Sequence, residues 1–162
     1  MNASSANRIV TVPGNMGRML YIRVLPWSDL ITSLYQGCRD HGIRTATVLC
    51  AAGSFKHAVV SWAEPTMETR RGSRRTEPIK LNGPLEIVSF MGVMSACDTD
   101  EPVGHFHASL CDPSGRVWGA HLFSGQNMTH STVDVVLAEI LNVSLAKLYD
   151  EEIDVEILQP ET

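Results

Sequence analysis

The chain has 162 residues, a formal charge of −5, and a composition that is 44% hydrophobic but only 19% charged. That length supports one well-buried core and is short for two. The pI of about 5.6 argues against a protein whose main task is neutralising phosphates.

The sparse charge hints that another subunit covers part of the surface. Cys38, Cys50, Cys97 and Cys111 are widely spaced, with no Cys-x-x-Cys pair. Residues 1–10 lack the apolar core of a signal peptide, and no run approaches about 18 apolar residues, so the chain reads as cytoplasmic, with reduced thiols and no membrane span.

Residues 1–17 are polar and read as a loose lead-in. Met19 to Leu25 is rich in strand formers and ends at Pro26. Ser28 is a good N-cap, and Leu30, Ile31, Leu34, Tyr35 and Cys38 recur at helical spacing up to Gly42, which predicts a helix over 29–41. His41 at its end suits the helix dipole and needs no ligand role. Ile43 to Ala52 is a nearly continuous apolar run, read as a strand covered on both faces with Cys50 in the core. Gly53-Ser54 breaks it, and 55–63 is a return strand. Glu64 to Pro84, with three prolines, two glycines and four arginines, reads as a long loop. Leu85 to Ala96 resumes the sheet, Cys97 to Pro102 is an acidic connection, and Val133 to Leu141 is a further strand. The tail is expected to hold a helical turn at 145–149 and a short strand at 155–158. Strands outnumber helices and short turns join them, which predicts an α+β fold: a mainly antiparallel, twisted sheet with one or two helices packed on it.

The informative stretch lies between Gly104 and Leu122. Asp112-Pro113-Ser114-Gly115 has turn-favouring Asp first, Pro with its preset φ second, and Gly where φ becomes positive. This order favours a three-residue hairpin loop with a glycine bulge, in which Asp112 faces Arg116 and His107 faces His121. Side chains alternate along a strand, so His105 and His107 share a face, and His121 lies within cross-strand reach of both. On the other face Phe106, Ala108 and Leu110 meet Trp118, Ala120 and Leu122. A slip of one residue would bury the imidazoles and expose Trp118. A two-residue loop would instead set His121 opposite Phe106, on the wrong side.

Three neutral imidazoles suit zinc first, with nickel, iron and copper as competitors, and leave a coordination position open for water or a carboxylate. The bland alternative is polar residues on a half-exposed face or in a subunit contact. Ser109 and Gly119 leave room for a small acidic ligand on that face. Glu86 and Glu139 each sit within an apolar strand, where an unpaired carboxylate is costly, so with Ser109 they are the candidates to support a histidine from behind. A three-histidine zinc could act as a hydrolase or lyase, but no His-Glu-x-x-His or other complete catalytic set is present. No nucleotide fingerprint or phosphate loop occurs either. The Met and Trp residues read as packing or interface groups, Cys111 lies too far along the strand to join the histidines, and His57 and His130 have no assigned place. Arg70, Arg71, Arg74 and Arg75 are a candidate nucleic-acid patch or the partners of the acidic tail.

Several short pieces now fall in one order: Leu25-Pro26, His41-Gly42-Ile43, Gly53-Ser54, Gly83-Pro84-Leu85-Glu86-Ile87-Val88, His105-Phe106-His107, Gly115-Arg116-Val117, Gly119-Ala120-His121-Leu122 and Val133-Asp134-Val135. Together they resemble the plants-and-prokaryotes conserved (PPC) domain, also known from plant AT-hook proteins, over roughly 18–141. The resemblance implies an α/β sandwich-like domain, taken at 18–142, and assembly as a homotrimer; 143–162 reads as an acidic segment packed on or extending that domain. In several prokaryotic members it implies a metal held by the histidines that correspond to His105, His107 and His121. It also implies a regulatory or DNA-associated role. The plant AT-hook is absent, and the plant partner-recognition segment lacks its Arg and Phe at 83–88.

Overall fold

A computed structural model describes residues 9–96 and 102–161. Of the expected acidic connection, residues 97–101 lie outside the described part. The element order is β1 (Asn15–Val24), α1 (Leu30–Asp40), β2 (Thr45–Ser61), β3 (Ala63–Pro65), β4 (Ser73–Arg75), β5 (Ile79–Ser95), β6 (Val103–Cys111), β7 (Val117–Leu122), β8 (Met128–Leu141), β9 (Leu145–Asp150) and β10 (Val155–Pro160). Six strands form one antiparallel sheet in the order β1-β8-β2-β5-β6-β7. The end of β2 also pairs with β7, through Val60↔Leu122 and Ser61↔His121, so β2, β5, β6 and β7 close into a ring. The expected α+β architecture, mainly antiparallel, is the one observed. Among the described residues no helix is long and apolar enough to cross a membrane.

The helix buries the stripe read from its spacing: Leu30, Ile31, Leu34, Tyr35 and Cys38 are all buried. Its N-cap is Asp29 rather than Ser28. The Asp29 carboxylate accepts from Thr32 N at 2.8 Å and from Asn127 N at 2.7 Å, so one side chain caps the helix and fastens it to the approach to β8. At the other end Gly42, at φ 62, reverses the chain as expected.

The sheet departs from the sequence reading in four places. Gly53 does not break a strand; β2 runs through it for 17 residues. A Cβ there would overlap the Thr132 carbonyl of β8, so the glycine permits close approach of two backbones. Cys50 is exposed, not core, and so is Leu49, because a register shift lies between Val48 and Cys50 and the middle of β2 buries one face at most. The arginine-rich excursion carries a short hairpin, β3–β4, and β5 begins at Ile79. It passes the cis Gly83–Pro84 bond where its register to β2 shifts, the kind of position where a strand tolerates proline. The tail forms no helical turn at 145–149; β9 pairs with β10 from Leu145↔Pro160 to Asp150↔Val155.

The core lies between α1 and one face of the six-stranded sheet. Phe55, Leu85, Leu110, Val133 and Leu137 are fully buried there. Phe90 stacks on Phe106 with centroids 5.5 Å apart, and Tyr35 meets the Phe106 edge at 6.1 Å. These contacts seat β6 from behind, which decides where its opposite face points.

Candidate metal centre

The turn between β6 and β7 has the expected chemistry. Asp112 N donates to Arg116 O and Gly115 N to Asp112 O, both at 2.9 Å, with Gly115 at φ 81. The Asp112 carboxylate accepts from Ser114 N and Oγ and from Arg116 N and Nε. The Ser114 hydroxyl and, next, the Trp118 indole hold its carboxyl well below the usual carboxylate range. The register that follows pairs His107 with His121, Ser109 with Gly119 and Leu110 with Trp118. Phe106, Ala108, Leu110, Ala120 and Leu122 turn inward and are buried. The histidines therefore turn outward.

His105, His107 and His121 converge. One ring nitrogen from each lies within 4.8 Å of the others, and the ring centroids are 4.9 to 5.5 Å apart. The Nε2 atoms of His105 and His107 are 3.0 Å apart. His121 is half-buried, and its Nδ1 is shielded from solvent with no hydrogen-bond partner. Burial lowers the pKa of all three rings. The Arg75 guanidinium adds to this at each one, and neighbouring imidazoles lower His107 and His121 further. For His121 the value falls to about 4. At neutral pH the cluster is therefore three uncharged imidazoles with lone pairs available.

The other residues singled out from the sequence are spread more widely. Ser109 is half-buried beside Gly119, one step along the same face from His107. Glu86 is exposed on β5 opposite Cys111, whereas the β5 neighbour of His107 is Met91. Glu139 faces Arg18, which reaches it through Nε and Nη2, both at 2.8 Å, and through its backbone N–H at 3.1 Å. Arg70 donates to Glu151 O and Arg71 to Ser73 O, while Arg74 pairs with Glu64 and Glu68.

Arg75 is different. At the end of β4 it lines, with the histidines, two adjoining cavities. One, of about 320 Å³, also involves Trp62, Arg71, Arg74 and Gly119. The other, of about 510 Å³, lies against β9–β10 and includes Tyr35, Lys147 and Glu156. The sequence reading did not connect Arg75 with the imidazoles. Its position follows from the Ser61↔His121 pairing, which brings the segment after β2 beside β7, and no local signal announces that seam.

Comparison with known proteins gives concordant results. A family model described as the Plants and Prokaryotes Conserved (PCC) domain matches residues 12–141. A curated relative, the bifunctional protein GlmU of Synechococcus sp. (strain JA-3-3Ab), is 30% identical over 149 residues, 91% of this chain. The chain spans about a fifth (21%) of that protein's length. A crystal structure described as the metal-containing protein AF0104 of Archaeoglobus fulgidus has a TM-score of 0.74 at 23% identity, covering 93% of this chain and 99% of that one. The PPC protein of Pyrococcus horikoshii has a TM-score of 0.72 at 25% identity, covering 92% and 97%.

Proposed function

The chain belongs to the Plants and Prokaryotes Conserved domain family, and from that premise we propose that it binds one divalent metal ion through His105, His107 and His121. The observation that carries the proposal is the convergence of three ring nitrogens within 4.8 Å, one ring having a buried nitrogen with no partner. The fold neighbour from Archaeoglobus, described as metal-containing, agrees with this reading.

Each ligand's part follows from its strand. His107 and His121 face each other across the ladder, and His105 joins them from two residues up the same strand. Depressed basicity keeps all three rings as lone-pair donors instead of imidazolium ions. A set of three neutral imidazoles favours zinc, with nickel, iron and copper competing for the same donors. When bound, the ion supplies a Lewis acid in a position open to a further ligand.

The contacts of Arg70, Arg71 and Arg74 are with the chain's own carbonyls and carboxylates, which supports a structural part for these arginines over a nucleic-acid patch. The trimer implied by the family draws support from Tyr21, Leu49, Val88 and Met91, large apolar residues left exposed on the sheet. Sedimentation equilibrium giving only the monomer mass would reject it.

Elemental analysis of untagged protein tests the metal site. Wild type should carry about one metal ion per chain, and His107→Ala should lose it while keeping its circular dichroism spectrum. Equal trace metal in both proteins would refute the site.

A further inference from the structure

We propose that the ligand completing this site is a small carboxylate-bearing anion, held between the imidazole-bound ion and the Arg75 guanidinium. This inference rests on the metal reading and adds the chemical class of what the centre receives.

Charge is the first argument. The three imidazoles bring no negative charge to a dication, and the cation that lines both adjoining cavities with His105 and His121 is Arg75. A dication beside an arginine leaves a strong excess of positive charge in a partly desolvated recess, where Coulomb energies exceed their values in water. Among the described residues, the carboxylates beside the two cavities are already paired with other cations. Glu156 in the larger cavity pairs with Lys147 at 2.9 Å, and Glu64 and Glu68 pair with Arg74. An anion from solution would compensate this charge.

Arg75 is also uncommitted. Among the described residues it forms no ion pair, and its one polar contact is Nη1 to Ser61 Oγ at 3.4 Å, the far limit of a hydrogen bond. Its neighbours Arg70, Arg71 and Arg74 are all engaged. A guanidinium that lines both cavities yet keeps its donors free is suited to a carboxylate, which accepts two parallel N–H bonds from the fork.

Space is the third argument. A Cβ built on Gly119, which lines the smaller cavity, would meet nothing within 4 Å. The adjoining cavity of about 510 Å³ falls within the range of small-molecule sites. Room and an unpaired fork therefore coincide beside the imidazoles.

The test uses the full chain loaded with Co(II) and titrated with malonate, followed by visible absorption and calorimetry. Wild type should show a saturable change in the cobalt spectrum. Arg75→Gln should bind the same one cobalt per chain yet hold malonate roughly ten- to a hundredfold more weakly, the loss expected for a charge-assisted hydrogen bond of about 1.5–3 kcal/mol. Arg75→Lys, which keeps the charge and loses the fork, should fall between. Arg70→Gln, at an arginine that lines neither cavity and donates to the Glu151 carbonyl, should stay within about a factor of two of wild type. Cobalt bound without any malonate response overturns the inference and leaves the metal site standing. Equal weakening in Arg70→Gln and Arg75→Gln overturns it too, since that is a general charge effect. Failure of wild type to bind cobalt overturns both readings.

Discussion

The carboxylate of Asp112 accepts a hydrogen bond from the indole Nε1 of Trp118 at 3.1 Å. This bond ties the turn to the first inward-facing position of β7, the position whose register decides which way His121 points. Asp112 also closes the turn through Ser114 and Arg116, so a single side chain fixes both loop length and strand pairing.

Replacing it should therefore act at a distance. Asp112→Ala is expected to lower thermal stability and to weaken metal binding, although it lies well away from the imidazoles. Asp112→Asn, whose one amide oxygen can keep the Oδ1 bonds but whose NH2 cannot accept from Arg116 Nε or Trp118 Nε1, should fall between Asp112→Ala and wild type. Full metal content in Asp112→Ala would show that the register does not depend on this residue.

Two glycines near the cluster should respond in opposite ways. A Cβ at Gly92 would overlap the Phe106 ring and the His105 carbonyl, forcing β5 and β6 apart at a stacked core position. Gly92→Ala should cost about 1–3 kcal/mol, the usual range for overpacking. Gly119→Ala meets open space and should change stability by no more than about 0.5 kcal/mol. Urea denaturation of both variants checks the contrast, and equal effects would contradict it.

Protons should compete with folding at the imidazoles of the metal-free protein. Burial, first, and then Arg75 lower the His121 pKa from 6.5 to about 4. The unfolded chain therefore takes up a proton below pH 6.5 that the folded chain refuses until about pH 4. This contribution to stability is fully present above pH 6.5 and is lost as pH falls to about 4. Metal-free wild type should lose stability across that window, and His121→Gln should lose less. Parallel curves from pH 7 to pH 4 would argue against the depressed value.

A second window belongs to Glu139. Hydrogen bonds from the Arg18 side chain, and then from its backbone N–H, bring its pKa from 4.5 down to about 2. The stabilisation is complete above pH 4.5 and disappears as pH falls through about 2. The gap in melting temperature between wild type and Glu139→Gln should narrow over that interval and stay constant from pH 5 to pH 7. A gap unchanged at pH 2.5 would mean that the ion pair is not its source.

The histidine cluster was legible because its determinants are local. A turn of four residues and strict alternation on two short strands were enough to place His107 opposite His121. The helix was legible for the same reason, with five apolar residues at one spacing. What escaped depends on partners remote in the chain. Gly53 looks like a break until β8 is known to press its backbone against it. Leu145, Leu148 and Tyr149 have helical spacing, and only pairing with β10 makes them a strand. The expected pairing of the arginines with the acidic tail is met by one contact, Arg70 to the Glu151 carbonyl. Arg75 looked like one of four surface cations, and its place beside the imidazoles depends on a seam between strands that periodicity does not encode.

That seam also governs the order in which the molecule is made. The β6–β7 hairpin can zip from its own turn on the microsecond scale, but Ser61 reaches His121 only after the long intervening chain has been gathered in, and such loop closure delays assembly. His105, His107 and His121 are therefore neighbours early, while Arg75 joins them late. In refolding followed by time-resolved spectroscopy, capture of a metal ion should precede the arrival of the cation that completes the recess.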